Sequence, residues 1–244
     1  MKQGLFEIKS NISLTQNVYK MELVGDTSHI TAPGQFINIK LDGLFLRRPI
    51  SVCDVDGDTV TIIYKVVGKG TELMSTMDSG KLDVLTGLGN GYDTSVSGEH
   101  PLLLGGGVGV PPLYMLAKKL ISEGKKPTVI LGFNKADEIF YADEFKALGA
   151  DVAVTTVDGS FGVKGFVTTV MADMEYSYFY TCGPEPMLRA VYSASKTGGQ
   201  LSFEERMGCG FGACMGCSCK TITGYKRICK EGPVLKKEEI LWEN

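Results

Sequence analysis

Leu102-Leu103-Leu104-Gly105-Gly106-Gly107-Val108-Gly109-Val110-Pro111-Pro112 is the stretch on which the fold turns. Three leucines in a row predict a strand covered on both faces. The glycines after them predict a tight turn. The two prolines predict the first turn of a helix, where a missing N–H costs nothing. Backbone N–H groups at such a junction, together with the helix dipole, favour a pyrophosphate. The pattern is not the dinucleotide fingerprint, because Pro112 stands where G-x-G-x-x-G needs glycine. A purely structural glycine turn is the alternative.

The same grammar continues downstream. A helix is predicted over residues 111–122, a strand over 128–131 and a helix over 142–148. Strand 152–157 and helix 166–172 come next, then strand 176–181 and helix 185–195, and residues 201–203 could close the sheet. Alternating helices and continuous apolar strands predict a parallel sheet covered on both sides. Tyr180-Thr181-Cys182-Gly183-Pro184-Glu185-Pro186-Met187 ends the last long strand and opens a helix. Ligands of open α/β sheets bind at strand carboxyl ends, so this turn and the glycine turn belong to one crevice. A buried core thiol is the alternative for Cys182.

Upstream, residues 1–98 change character. Short alternating or β-branched runs at 6–9, 18–23, 35–41 and 59–66 are broken by Gly, Asp and Asn, and a short helix is predicted over 72–77. Several such strands in under about 100 residues predict a small antiparallel barrel. The expected organisation is therefore α+β and multidomain: a β-barrel over 1–98, an α/β domain over 99–203 and a small cysteine-rich segment over 204–244, too short for a core of its own.

Composition narrows the chemistry. Lys and Arg number 25 against 28 Asp and Glu, a formal charge of −3, which argues against nucleic-acid binding. No apolar run reaches the length of a spanning helix, and the N-terminus MKQGLFEIKS has no signal-peptide core, so a cytoplasmic chain is expected. Two histidines leave little room for His-based catalysis. Of seven cysteines, five lie between residues 209 and 229. Outside an oxidising compartment such a cluster reads as metal ligation before disulfides.

Cys209-x4-Cys214-x2-Cys217-x11-Cys229 has the plant-type spacing of a [2Fe–2S] cluster. Four converging thiolates need a tightly wrapped loop, and Gly208, Gly210, Gly212 and Gly216 allow one while exposing N–H groups to the sulfurs. Structural zinc is the alternative, although it usually takes two close Cys pairs and Cys229 has no such partner. Cys219 is a fifth thiol that could replace Cys217 and is read as a spare.

Taken with both crevice turns, Arg48-Pro49-Ile50-Ser51 makes the chain resemble the ferredoxin-reductase superfamily, in which a flavin-binding barrel precedes a nicotinamide-nucleotide domain. Arg47 to Ser51, Leu88-Gly89-Asn90-Gly91, the cluster loop from Met207, and Cys229-Lys230-Glu231-Gly232-Pro233-Val234 resemble the electron-transfer subunits of NAD-dependent dihydroorotate dehydrogenase B over essentially the whole chain. The resemblance implies that Arg48 pairs with an FAD phosphate and that Pro49, Ile50 and Ser51 line the isoalloxazine. It implies a second flavin strand at Ile63, Tyr64 and Lys65, a phosphate contact at Gly70 and Thr71, and cluster ligation by Cys209, Cys214, Cys217 and Cys229.

The implied partner is an FMN-containing dihydroorotate dehydrogenase catalytic subunit, in a heterotetramer of two of each. Electrons would run from its FMN through the cluster and FAD to NAD⁺, with no side chain here acting as general acid or base. Flavin belongs between the other two carriers because it handles both hydride and single electrons. Preference for NAD over NADP stays open: residues 133–138 offer both a cation and carboxylates. One alternative is a superfamily reductase serving ferredoxin, sulfite reductase or hydrogenase. Another is a non-catalytic zinc or redox-sensor module.

Overall fold

Alternation at the N-terminus becomes a closed barrel in the computed structural model, which describes residues 1–242. The strands are β1 (Lys2–Ser13), β2 (Val18–Val24), β3 (Phe36–Lys40), β4 (Arg48–Asp56), β5 (Thr59–Lys65) and β6 (Lys81–Leu88), in the order β1-β2-β5-β4-β3-β6. Phe6, Met21, Leu23, Ile37, Ile39, Val52, Ile62 and Val84 fill it. Strands β4 and β6 lie where the sequence pattern marks none. Pro49 disguises β4, since a proline usually demotes a strand. Val52 N–H donates to the Gln35 carbonyl (3.0 Å), and this ladder phase places Pro49 at a non-hydrogen-bonded position towards β3, where no donor is needed. Helix α1 (Lys69–Ser75) begins three residues before the predicted start. The Thr71 hydroxyl accepts from Val67 N–H and Gly68 N–H (2.9 and 3.3 Å) and so braces that turn from within.

The α/β region follows its predicted order. Strands β7 (Leu102–Gly106), β8 (Thr128–Phe133), β9 (Asp151–Thr156), β10 (Val163–Lys164), β11 (Phe179–Cys182) and β12 (Gly199–Ser202) alternate with helices α2 (Pro111–Ser122), α3 (Ala142–Ala147), α4 (Val167–Met171) and α5 (Glu185–Ala194). The sheet order is β10-β9-β8-β7-β11-β12, all parallel. The chain reverses direction of winding between β7 and β11, which makes their carboxyl ends the switch-point crevice. Among the described residues no helix is long and apolar enough to cross a membrane.

The sheet is not closed by residues 201–203. After the hairpin β13 (Ser218–Thr221) and β14 (Gly224–Arg227), β15 (Val234–Lys236) returns and adds antiparallel to β12, with Leu201 opposite Leu235. Residues 243 and 244 of the predicted C-terminal segment lie outside the described residues. Cys217, Ile228, Cys229 and Leu235 share one core with Phe36 and Leu88 of the barrel and Leu104 and Leu201 of the sheet. The segment is buried against both of its neighbours, which supply the core it lacks.

Asn90 pins it there. Its Nδ2 donates to the carbonyls of Val234 (2.7 Å) and Glu231 (3.1 Å), its Oδ1 accepts from Val234 N–H (3.1 Å), and its own N–H donates to the Gly232 carbonyl (2.7 Å). Asn90→Ala removes the three side-chain bonds and is expected to destabilise the chain by about 2–3 kcal/mol. Denaturant unfolding measures the loss, and limited proteolysis should find the residues after 204 released first.

Candidate functional site

One cleft of about 1570 Å³ runs between barrel, sheet and C-terminal segment. Every residue predicted for the flavin lines it: Arg48, Pro49, Ile50 and Ser51 on β4, Ile63, Tyr64 and Lys65 on β5, and Gly70 and Thr71 on α1. The barrel ladder brings β4 beside β5, and α1 follows directly from β5. The Arg48 guanidinium lies across Gly70, where an added Cβ would stand 1.9 Å from Nε. With glycine there the cation settles over the start of that helix, and the planar fork is the geometry that suits phosphate.

Two of the predicted side chains are committed elsewhere. Tyr64 is 2% exposed, donates to Asn11 Oδ1 (3.0 Å) and stacks on Tyr19 at 5.9 Å. Burial pushes its phenol up to about 12. Thr71 spends its hydroxyl on the α1 turn, donating to the Gly68 carbonyl (3.1 Å) as well as accepting. At these two positions the side-chain hydroxyl is committed within the fold and is not free for the cleft.

Both crevice turns meet at the switch point, with Cys182 paired to Gly105 across β11 and β7. A Cβ at Gly109 would lie 2.3 Å from the Cys182 carbonyl oxygen, and one at Gly106 would lie 2.4 Å from Met187 Sδ. These glycines are there for turn-to-turn contact. Gly107 is different: it has φ +52°, no neighbour within 4 Å and a place in the cleft wall. The structural reading of the glycine turn thus holds for Gly106 and Gly109, while Gly107 stands clear of that contact. Cys182 is half-buried, and burial pushes its thiol up to about 12.

At the far end of β8, Glu138 lines the cleft and accepts from Asn134 Nδ2 (2.9 Å). Lys135 is paired with Asp137 (2.8 Å).

The four predicted cluster cysteines fall into two pairs. Cys209 N–H donates to Cys214 Sγ (3.4 Å), and Cys209 Sγ accepts from Cys214 N–H (3.4 Å), Ala213 N–H (3.2 Å) and Phe211 N–H (3.5 Å). Cys229 N–H donates to Cys217 Sγ at 3.4 Å. Partial burial raises the Cys209 thiol, but the N–H donors outweigh it and bring it down to about 6. Burial and the neighbouring Cys217 push Cys229 up to about 12. N–H groups aimed at the sulfurs of Cys209, Cys214 and Cys217 suit thiolate ligands of an iron–sulfur cluster, although among the described residues no three cysteines close into one metal-holding group. Cys217 and Cys229 are each 2% exposed, whereas Cys214 is exposed between Phe211 and Met215. Cys219 lies on β13 opposite Lys226, and its thiol is raised by burial.

Some cleft residues escape sequence reasoning. Trp242 packs on Tyr192 (5.0 Å between centroids) and under the Arg189 guanidinium (5.0 Å) and reaches the cleft from the chain's end. Thr155 lies at the end of β9, fully buried, with no partner for its hydroxyl among the described residues. Neither carries a local pattern that would mark it.

Residues 204–241 match the iron–sulfur cluster binding domain of dihydroorotate dehydrogenase B, and residues 103–193 match the oxidoreductase NAD-binding domain. The chain is 44% identical over 250 residues to the dihydroorotate dehydrogenase B (NAD(+)), electron transfer subunit, of Fusobacterium nucleatum subsp. nucleatum, with 96% of each covered. It is 42% identical to the same subunit of Bacillus velezensis, covering 98% of this chain and 99% of that one. Among solved structures, an NADH-dependent reduced ferredoxin-NADP oxidoreductase superposes with a TM-score of 0.89 at 30% identity, covering 98% of this chain and 90% of that one. A ferredoxin NADP+ reductase from Neisseria gonorrhoeae, 16% identical with a TM-score of 0.71 over 80% of this chain and 90% of its own, shares the fold. At 42–44% identity over nearly the whole of both relatives, and with the cysteine segment matching the family's iron–sulfur domain, the chain belongs to the electron transfer subunits of NAD-dependent dihydroorotate dehydrogenase B.

Proposed function

We propose that this chain carries electrons between NAD⁺ and a partner FMN subunit that oxidises dihydroorotate to orotate, in pyrimidine (UMP) biosynthesis. In that reading FAD and a [2Fe–2S] cluster are its resident carriers, and the assembly is a cytoplasmic heterotetramer of two of each subunit. The observation that carries it is the convergence of β4 and both nucleotide-type turns on a single cleft that Met207, Cys219 and Trp242 of the C-terminal segment also line, while Cys209, Cys214, Cys217 and Cys229 lie outside its wall. Bound flavin exchanges hydride with nicotinamide and single electrons with an iron–sulfur cluster.

The side chains have separate tasks. Arg48 would hold a phosphate over Gly70. Pro49, Ile50 and Ser51 would form the wall against the ring system, and Gly107 would let a nucleotide approach the switch point. Glu138, a carboxylate in the cleft wall, favours an unphosphorylated ribose and so supports NAD over NADP. The buried pair Cys217 and Cys229 faces the core, and the more exposed pair Cys209 and Cys214 faces outward. Phe211 (43% exposed) and Met215 (52% exposed) flank that outer pair, which supports a docking face there for the FMN subunit.

The close structural likeness to a ferredoxin-linked reductase keeps a ferredoxin partner as the second reading.

Ligand assignment is tested by iron content. Cys217→Ser should lose cluster iron and Cys219→Ser should keep it; equal retention would show the wrong thiol was chosen. Arg48→Ala should retain its iron but release FAD on dialysis. One charge-assisted phosphate bond is worth about 1.5–3 kcal/mol, or about a 10- to 150-fold loss of affinity.

Division of labour is tested by assay. The purified chain should pass electrons from NADH to artificial acceptors and leave dihydroorotate untouched until a candidate FMN subunit is added. Dihydroorotate turnover by the chain alone would overturn the assignment. Inactivity with every FMN subunit, alongside activity with ferredoxin, would move it to the second reading.

A further inference from the structure

Along β3, Ile37 and Ile39 fill the barrel, so Phe36, Asn38 and Lys40 face outward. Lys40 is exposed, as an outward barrel residue usually is, but Asn38 is only 1% exposed. Its cover is the cluster loop. Asn38 Nδ2 donates to the Cys209 carbonyl at 3.3 Å, and a Cβ on Gly210 would lie 2.2 Å from that same nitrogen. The contact sets the amide's orientation, because the reverse would put Oδ1 against a carbonyl oxygen. Oδ1 is then left without a hydrogen-bond partner among the described residues. Packing alone would favour an apolar side chain of similar size, since a buried half-satisfied amide is costly.

The other side of Asn38 explains its presence. It stands opposite Pro49 in the β3–β4 ladder, at a non-hydrogen-bonded position, where facing residues approach most closely. Arg47 braces the strand there: Nη1 donates to the carbonyls of Asn38 (3.2 Å) and Asp83 (3.0 Å), and Nη2 pairs with the Asp83 carboxylate (2.9 Å). A cluster ligand is thereby linked through one side chain to a residue of the flavin wall.

We propose that Asn38 is a positioning residue for electron transfer within this chain: by holding the Cys209 carbonyl to β3 at the position opposite Pro49 of β4, it sets the separation between cluster and flavin. The proposal rests on the cofactor reading above. Each crossing takes one electron from one centre and gives it to the other, with no bond made or broken, so distance and orientation are what the protein can control.

The test uses the chain carrying its flavin and iron, with Asn38→Leu, similar in size but without a donor, and Asn38→Ser, too short to reach Cys209. Measured quantities are iron and FAD content, melting temperature, the EPR spectrum of the reduced cluster, and the separate rates of flavin and cluster reduction by NADH. Both variants should keep FAD and reduce it at the wild-type rate, while the EPR spectrum shifts and cluster reduction slows about tenfold. Asn38→Leu should melt no lower than wild type, which a purely structural role would not combine with altered spectra. Iron loss in both variants with FAD retained would overturn the proposal in favour of a purely structural anchor for the loop. An unchanged EPR spectrum and unchanged cluster reduction in either folded variant would overturn it. A wild-type chain without flavin or iron would instead remove the cofactor reading, and this proposal with it.

Discussion

The cluster segment has too little apolar material to fold by itself, and that constraint organises the molecule. Its core residues are borrowed: Ile228, Cys217 and Cys229 are buried only because Phe36 and Leu88 of the barrel and Leu104 and Leu201 of the sheet lie beneath them. β15 then supplies an edge strand to the sheet, and Asn90 ties the barrel's exit to it. Each fully buried aliphatic is worth roughly 1.5–3 kcal/mol, so this shared core is what holds three sequence regions in one arrangement. It also polarises the cysteine loop into a buried pair, Cys217 and Cys229, and a more exposed pair, Cys209 and Cys214.

A second close packing operates at the switch point. The turns after β7 and β11 approach so nearly that Gly106, Gly109 and Gly183 have no room for a Cβ against Met187 and the Cys182 backbone. This leaves Gly107, with its positive φ and open surroundings, as the glycine of that turn whose backbone faces open space in the cleft wall. Barrel and sheet are joined nearby as well. Cys53 of β4 is fully buried in one core with Val110 and Leu113, and Lys118 pairs with Asp54 at 2.9 Å. The strand that carries Arg48 to Ser51 is therefore fixed to the same helix, α2, that opens at the glycine turn. Such rigidity matters because a site that transfers hydride and electrons works by positioning.

Much of this was readable from the chain itself. Period-2 runs marked a barrel, Leu102 to Pro112 marked a strand–turn–helix with its prolines where the helix begins, and C-x4-C-x2-C with a distant fourth cysteine marked paired thiols, because those patterns encode local backbone geometry and ligand reach. What required the tertiary structure was anything set by a distant neighbour. Pro49 concealed β4, since only the ladder phase with β3 shows that its missing donor is not needed there. Tyr64 and Thr71 were legible as positions but not as side chains, because Asn11 and the α1 turn claim their hydroxyls. Asn38 had no signal at all: a polar residue at an outward barrel position is ordinary until a loop 171 residues away in sequence lands on it. Local sequence determines periodicity, turns and ligand spacing through short-range sterics, whereas burial and hydrogen-bond satisfaction are set by which segments the folded chain brings into contact.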